Sequence, residues 1–409
     1  MKHERFIYHS YEITADGFSF RFTMDEYEFT PQWKCDIPET DDLMLHELVF
    51  NLGLVELISY WKSACPPIVE VRCGSLDDWQ INWWKKLYLN GLGEFFYINN
   101  ITPADDFMTI IPTQQHRPKL TVNYPLSTIN CLTPVGGGKD SIVTLELLKE
   151  YHENNHCYII GNIQRAYDTA KTAGYSDDRI IRVSRTIDPV LLELNKKGYL
   201  NGHTPFSAIV AFSSLVFAYI TGKKYIVLSN ESSANEGNTD SGVNHQYSKS
   251  TEFERDFREY VSRISPDLPE YFSLLRPLNE LQITERFVQF PKYFPIFQSC
   301  NAGTKTNTWC RKCAKCLYVY IMLAAFLDDE TLISIFGENL LENPELSDIL
   351  TALKNPDYDK PFECVGTREE VNTALDMISG KPNYPRPGLL DCFNDDNFVP
   401  KELIKLLKG

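Results

Sequence analysis

Three consecutive glycines, Gly136, Gly137 and Gly138, follow a partly apolar run from Ile129 to Val135 and precede apolar residues at helical spacing, Ile142, Val143, Leu145, Leu147 and Leu148. The order is strand, glycine bend, helix. Without Cβ atoms the bend can approach a phosphate closely, and the helix start behind it offers unpaired N–H groups with a partial positive charge. Lys139 adds a mobile cation, and Asp140 and Ser141 are capping residue types that could also hold magnesium. The stretch reads as a phosphate cradle. Two common nucleotide motifs are excluded. A Walker loop needs Ser or Thr directly after its Lys and a Gly five positions before the last Gly, where this chain has Asp140 and Thr133. The dinucleotide fingerprint needs a third Gly where Ser141 stands. A plain glycine turn joining any strand to any helix remains the alternative.

A chain of 409 residues suits two or three domains. Hydrophobic residues make up 43%, and no run approaches the roughly 20 apolar residues of a membrane helix. The start, MKHERFIYHSYE, is charged and lacks the apolar core of a signal peptide. A cytoplasmic globular protein is therefore expected. Net charge is −15 with no basic block, which argues against nucleic-acid or anionic-membrane partners but leaves room for a small anionic ligand in a local cradle.

Strand and helix signals divide the chain into three expected parts. Residues 1–125 alternate aromatic and β-branched runs with turns, then give a helix opened by Asp41-Asp42 and another carrying Trp79, Trp83, Trp84 and Leu87, read mainly as core. This predicts an α+β domain of its own, ending in the polar stretch 111–125. Residues 126–325 predict a doubly wound α/β domain with a mostly parallel sheet. Strands are expected at 156–162, 179–185 and 225–228, and helices from Thr204 to Ile220 and from Thr251. Residues 276–288 read as a short strand entering a helix. Residues 326–409 read as a helical extension.

In open α/β sheets ligands bind beyond the carboxyl ends of strands, which makes the polar stretches 229–238 and 243–250 site candidates. They offer Glu231, Glu236, Asn244, His245, Tyr247 and Lys249, and His203 opens the preceding helix. A solvated loop and structural histidines are the competing reading. Eleven cysteines are unevenly placed. Cys300, Cys310, Cys313 and Cys316 give four thiols within 17 residues, a set that suits structural tetrahedral zinc, with an iron–sulfur cluster as the alternative. The scattered seven, Cys364 among them, read as packing residues.

Residues 136–141 resemble the PP-loop of ATP pyrophosphatases, Ser-Gly-Gly-x-Asp-Ser, with Gly136 in place of the leading Ser. Joined to the downstream cysteines, the loop is similar to the 7-cyano-7-deazaguanine synthases. The whole chain more closely resembles the UDP-N-acetylmuramoyl-L-alanyl-L-glutamate epimerases of cell-wall synthesis, through PVGGGKDS, GHTPFSAIV, SNESSANEGN, VNHQYSKS and WCRKCAKC. That resemblance implies ATP, Mg²⁺ and a UDP-linked muramoyl dipeptide. A substrate carboxylate would attack the α-phosphate, with magnesium and Lys139 stabilising the β and γ phosphates. The acyl-adenylate would acidify the neighbouring C–H, and two proton-transfer groups would invert the carbon. His203, His245, Tyr247 and Lys249 are the candidates by residue type and position. An amide- or nitrile-forming ligase and a non-catalytic ATP-binding regulator are the alternatives. A sulfurtransferase, which would need Cys131 to be reactive, ranks last.

Overall fold

The structure is a computed structural model that describes residues 3–37, 42–113, 129–304 and 306–408. The expected boundary near 125 lies outside the described residues.

The N-terminal part contributes β1 (Arg5–Thr14), β2 (Gly17–Met24), β3 (Tyr27–Phe29), β4 (Gln32–Lys34), α1 (Leu43–Trp61), β5 (Ile68–Val71), α2 (Asp78–Gly91), α3 (Gly93–Ile98) and β6 (Thr109–Pro112). Along β2, Phe18, Phe20 and Phe22 are buried and alternate with Ser19, Arg21 and Thr23, the period-two pattern of a half-covered strand. Asp77 and Gln80 cap α2 reciprocally, at 2.8 and 3.0 Å. By length and composition α1 could cross a membrane, contrary to the sequence expectation, yet it is 89% buried inside the protein and serves as a core helix.

The middle part follows with β7 (Cys131–Pro134), α4 (Lys139–Leu147), β8 (Asn155–Ile160), α5 (Gln164–Thr172), β9 (Ile180–Arg185), α6 (Pro189–Lys196), α7 (Phe206–Ile220), β10 (Tyr225–Leu228), α8 (Thr251–Ile264), β11 (Glu270–Ser273), α9 (Glu280–Phe287) and α10 (Ala314–Ala324). The C-terminal part is helical: α11 (Asp329–Phe336), α12 (Ser347–Lys354), α13 (Arg368–Gly380) and α14 (Lys401–Ile404). The strand expected at 276–279 lies instead at Glu270–Ser273, because Asn279 and Gln282 cap α9 reciprocally and residues 276–279 form its entry turn.

All described strands join one mixed sheet of 11 strands in the order β11-β10-β7-β8-β9-β4-β2-β1-β5-β6, with β3 beside β2. The five strands from β11 to β9 pair in parallel. Their side chains alternate between two cores. Leu132, Tyr158, Ile226 and Tyr271 pack with α1 and α7, while Cys131, Tyr225, Val227 and Phe272 pack with α9 and α10. Helices therefore cover both faces, as a buried parallel sheet requires.

The N-terminal strands were expected to form a separate unit, but they extend this sheet. At the seam β4 pairs antiparallel with β9, Trp33 opposite Arg185. Arg185 donates through Nε and Nη2 to both carboxylate oxygens of the fully buried Glu56 on α1, each at 2.8 Å, and to Ser59 Oγ at 2.9 Å. Trp33 Nε1 donates to the same carboxylate at 3.2 Å. A buried pair with its hydrogen bonds filled costs most when one partner is removed, because the survivor keeps its desolvation penalty. Arg185→Ala is therefore expected to lower unfolding free energy by about 3–5 kcal/mol in a denaturant titration. The double change Arg185→Met, Glu56→Leu should cost much less. A single-variant loss below about 1 kcal/mol would remove the pair from any role at the seam.

Candidate active site

The strand order reverses between β7 and β10, the position where open parallel sheets bind ligands. A cavity of about 350 Å³ opens there. Its wall includes the glycine bend after β7, residues 228–231 after β10, and Lys249. It also includes Arg165, Gln298, Lys315 and Cys364, which local sequence does not connect with the bend.

The three glycines are not equivalent. Gly137 has φ +83°, and a Cβ there would meet Arg165 Cγ at 2.7 Å and Ala166 N at 2.9 Å. Its carbonyl accepts from Gln298 N at 2.9 Å. A Cβ on Gly138 would meet Ser299 Oγ at 2.9 Å, whereas one on Gly136 would meet nothing within 4 Å. Gly138 supplies no side-chain cap to α4, and Ser141 Oγ donates to its carbonyl at 2.9 Å. The helix start thus keeps first-turn amides for a ligand beside the cavity.

Lys139, expected as a mobile cation, is buried and fixed by ion pairs with Asp140 and Glu280. Asp140, Glu231 and Glu280 each bring an oxygen within 4.8 Å of the others. Burial pushes the Glu280 carboxyl up to about 7 against the pull of Lys139, with Asp140 and Glu231 adding to the rise. Burial and then Asp140 raise Glu231 too. Burial also opposes ionisation of Asp140, but Lys139 and Lys315 hold its carboxyl low. One ammonium cannot neutralise three carboxylates, and a divalent cation among them would do so. Asp140 was legible as a magnesium ligand; Glu280 was not, because it sits in the first turn of a helix 140 residues away with no motif around it.

Of the four candidate proton-transfer groups, only Lys249 lines this cavity. Its Nζ donates to Cys364 Sγ at 3.0 Å. His245 pairs through Nδ1 with Glu94 of α3, and His203 Nδ1 lies 3.4 Å from the same carboxylate, with the imidazole centroids 4.4 Å apart. Burial alone would lower His245, but hydrogen bonds with Cys364 and Glu94 raise it to about 9. Burial and the charge of His245 press His203 down to about 3. Tyr247 is buried, its hydroxyl pushed up to about 12, and it lines a neighbouring cavity of about 960 Å³ between α2, α3 and residues 235–252. Glu236 is engaged with Lys360 at 2.9 Å, and Asn244 donates to the Ala234 carbonyl at 3.0 Å.

Cys364 and Glu94 are the functional residues that sequence reasoning missed. Burial opposes ionisation of the Cys364 thiol, but Lys249, a hydrogen bond with His245, and Lys315 bring it down to about 5. Elsewhere the four expected metal cysteines converge, all four sulfurs lying within 4.8 Å of one another. Cys300 and Cys313 are 3.8 Å apart, and Cys316 lies 3.6 Å from both Cys310 and Cys313. They could hold a four-coordinate metal ion.

The MurL N-terminal domain model matches residues 1–274, and the MurL C-terminal domain model matches residues 296–398. The chain belongs to the MurL family. A UDP-N-acetyl-alpha-D-muramoyl-L-alanyl-L-glutamate epimerase from Xanthomonas oryzae pv. oryzae is 33% identical over 355 residues, covering 84% of this chain and 77% of that one. Proteins of the same name from Salinispora tropica and a Micromonospora species are each 34% identical, over 81% of this chain and 73% and 75% of their own lengths.

In this MurL-family chain the open space at Gly136 and the crowding at Gly137 make opposite predictions for adjacent positions. Gly136→Ser, which restores the hydroxyl of the Ser-Gly-Gly-x-Asp-Ser pattern, is expected to leave stability within about 0.5 kcal/mol. Gly137→Ala combines left-handed backbone with a clash against main-chain atoms, and is expected to cost about 1–3 kcal/mol and to weaken nucleotide binding. Denaturant unfolding and calorimetric titration with a non-hydrolysable ATP analogue check both.

Proposed function

We propose that this protein is an ATP-dependent epimerase that converts the terminal L-glutamate of UDP-N-acetylmuramoyl-L-alanyl-L-glutamate to D-glutamate during synthesis of peptidoglycan precursors. The observation that carries the reading is the cavity where the strand order reverses: a glycine bend, a carboxylate cluster and lysines meet there, in a chain whose relatives bear that name. We read the bend as the PP-loop of an ATP pyrophosphatase. Ile163, Phe206 and Val210 give the cavity an apolar side suited to a base ring.

In this reading the substrate α-carboxylate attacks the α-phosphorus of ATP, the bond to the β-phosphate breaks, and pyrophosphate leaves against the bend amides. Asp140, Glu231 and Glu280 would hold magnesium, which would neutralise phosphate charge. The free carboxylate resists loss of the α-proton because a second negative charge would form beside the first. Conversion to a mixed anhydride removes that obstacle, so an ordinary base suffices. Return of a proton to the opposite face and hydrolysis then give the D-isomer and AMP. ATP and a nucleotide-linked precursor both belong to the cytoplasm, where this reading puts the protein.

Purified protein with ATP, magnesium and the UDP-linked precursor is expected to release AMP and pyrophosphate and to form the D-glutamyl isomer by chiral analysis, with no dependence on ammonia. Asp140→Asn should cut pyrophosphate release by about a hundredfold or more. No AMP from wild-type protein with this substrate would end the reading.

Zinc is proposed at the cysteines. A tetrahedral site with Zn–S bonds of about 2.3 Å separates its sulfurs by about 3.8 Å. The separations of 3.6–3.8 Å support it over an iron–sulfur cluster, whose larger core spreads its ligands. Metal analysis should find about one zinc per chain. Cys313→Ser should lower both zinc content and melting temperature, and stoichiometric iron with acid-labile sulfide would replace the assignment.

A further inference from the structure

Cys364 sits in a segment without regular secondary structure that is stitched to the arch of residues 231–249. Lys360 N donates to the Asn238 carbonyl at 2.7 Å, Asn238 Nδ2 to the Pro361 carbonyl at 2.8 Å, and Gln246 Nε2 to the Val365 carbonyl at 3.0 Å. Lys315 bonds the carbonyl of Cys364 itself. These contacts place the sulfur in the wall of the cavity that holds the glycine bend, against Lys249 Nζ and with His245 and Glu94 behind it. The same cavity is lined by Glu231, only 5% exposed, whose carboxylate takes part in no hydrogen bond or ion pair among the described residues. A nearly buried acid left open toward the space beside Cys364 points to a ligand that enters there.

The other candidate bases are poorly placed. Tyr247 lines the second cavity, and Lys249, raised by its anionic neighbours, is a cation. His203 and His245 share Glu94 and do not line the site. Cys35, Cys65, Cys73 and Cys131 contrast with Cys364, since burial pushes each thiol up to about 12.

Resting on the epimerase reading, we propose that Cys364 is the thiolate that removes the α-proton of the activated glutamyl residue, with Lys249 and His245 as positioning residues that hold its sulfur in the cavity wall. The Cα–H bond breaks, the proton forms an S–H bond at Cys364, and the electron pair passes to the acyl carbonyl oxygen. When the pair returns to carbon, water supplies a proton to the opposite face. The resulting hydroxide takes the thiol proton, so water and thiolate are both regenerated.

The test uses the full chain with ATP, magnesium and the UDP-linked dipeptide in D₂O. Wild-type protein should place one deuterium at the glutamyl α-carbon. Cys364→Ser and Cys364→Ala should lose that exchange by at least about a hundredfold while still releasing pyrophosphate. Exchange at the wild-type rate in either variant overturns the proposal. Wild-type protein that releases neither AMP nor pyrophosphate instead refutes the epimerase reading and this proposal with it. Should the variants fail to fold, iodoacetamide labelling of wild-type protein at pH 6 decides by peptide mapping. Cys364 should react at least about tenfold faster than the exposed Cys392, and ATP with substrate should protect it. A Cys364 that reacts no faster than Cys392, or is unprotected, counts against the role.

Discussion

The site depends on one buried guanidinium. Arg276 has no exposed surface, and it donates to the carbonyl of Glu231, to the carbonyl of Lys249 at 2.5 Å, and twice to the Glu254 carboxylate at 2.9 and 3.2 Å. Glu254 in turn accepts from Ser273 N at 2.9 Å. Removing such an ion from water costs several kcal/mol, which only a filled set of hydrogen bonds offsets. The native arrangement is therefore the one in which both carbonyls arrive together. Residues 231 and 249 become the two feet of one arch, so the carboxylate of Glu231 and the ammonium of Lys249 reach a shared cavity although 17 residues lie between them.

That arch organises what lies outside it. Its inner residues accept the 360–366 segment, and Tyr97 of α3 reaches the same segment through its hydroxyl to Asp359 at 2.7 Å and its ring against Phe362. Glu94, from the same short helix, meets both histidines. The seam at β4 and β9 is what makes this possible: by joining the N-terminal strands to the parallel ones, it fixes α2 and α3 against α8, where Trp83 and Trp84 donate to the Asp256 carbonyl and the Tyr260 hydroxyl. The site thus draws on the beginning, middle and end of the chain.

The distances in sequence explain what could be read beforehand. The glycine bend was legible because its constraint is local: a left-handed Gly137 and a missing Cβ need no distant partner to be recognised. The cysteine set was legible for the same reason, four ligands falling on one short turn before α10. The parallel strands announced themselves as apolar runs. Cys364 could not be told from a packing cysteine, because its environment is made by Lys249, 115 residues earlier, and by His245. Glu94 looked like any surface acid at the start of a short helix. The continuous sheet was hidden because a three-residue edge strand, Gln32–Lys34, carries the whole connection. The histidines were picked for their chemistry, and it is Glu94 that turns them into a support for the sulfur.

The charges around the cavity also limit how a polyphosphate can enter it. Asp140, Glu231, Glu280 and Cys364 stand against Lys139, Lys249 and Lys315, four groups that can be anionic facing three ammonium groups. Lys249 and Lys315 serve both sides, lowering Asp140 and Cys364 alike. A bare triphosphate would add its charge to an existing negative excess in a poorly screened space, where each uncompensated contact costs far more than in water. A divalent cation at the three carboxylates reverses the balance locally, and the bend amides then meet phosphate oxygens without opposition. In the proposed reaction nucleotide and cation must therefore arrive as one complex. Lys249 then stays paired with the sulfur and is not drawn away to the phosphates, which keeps the thiolate in place for the carbon that the nucleotide has activated.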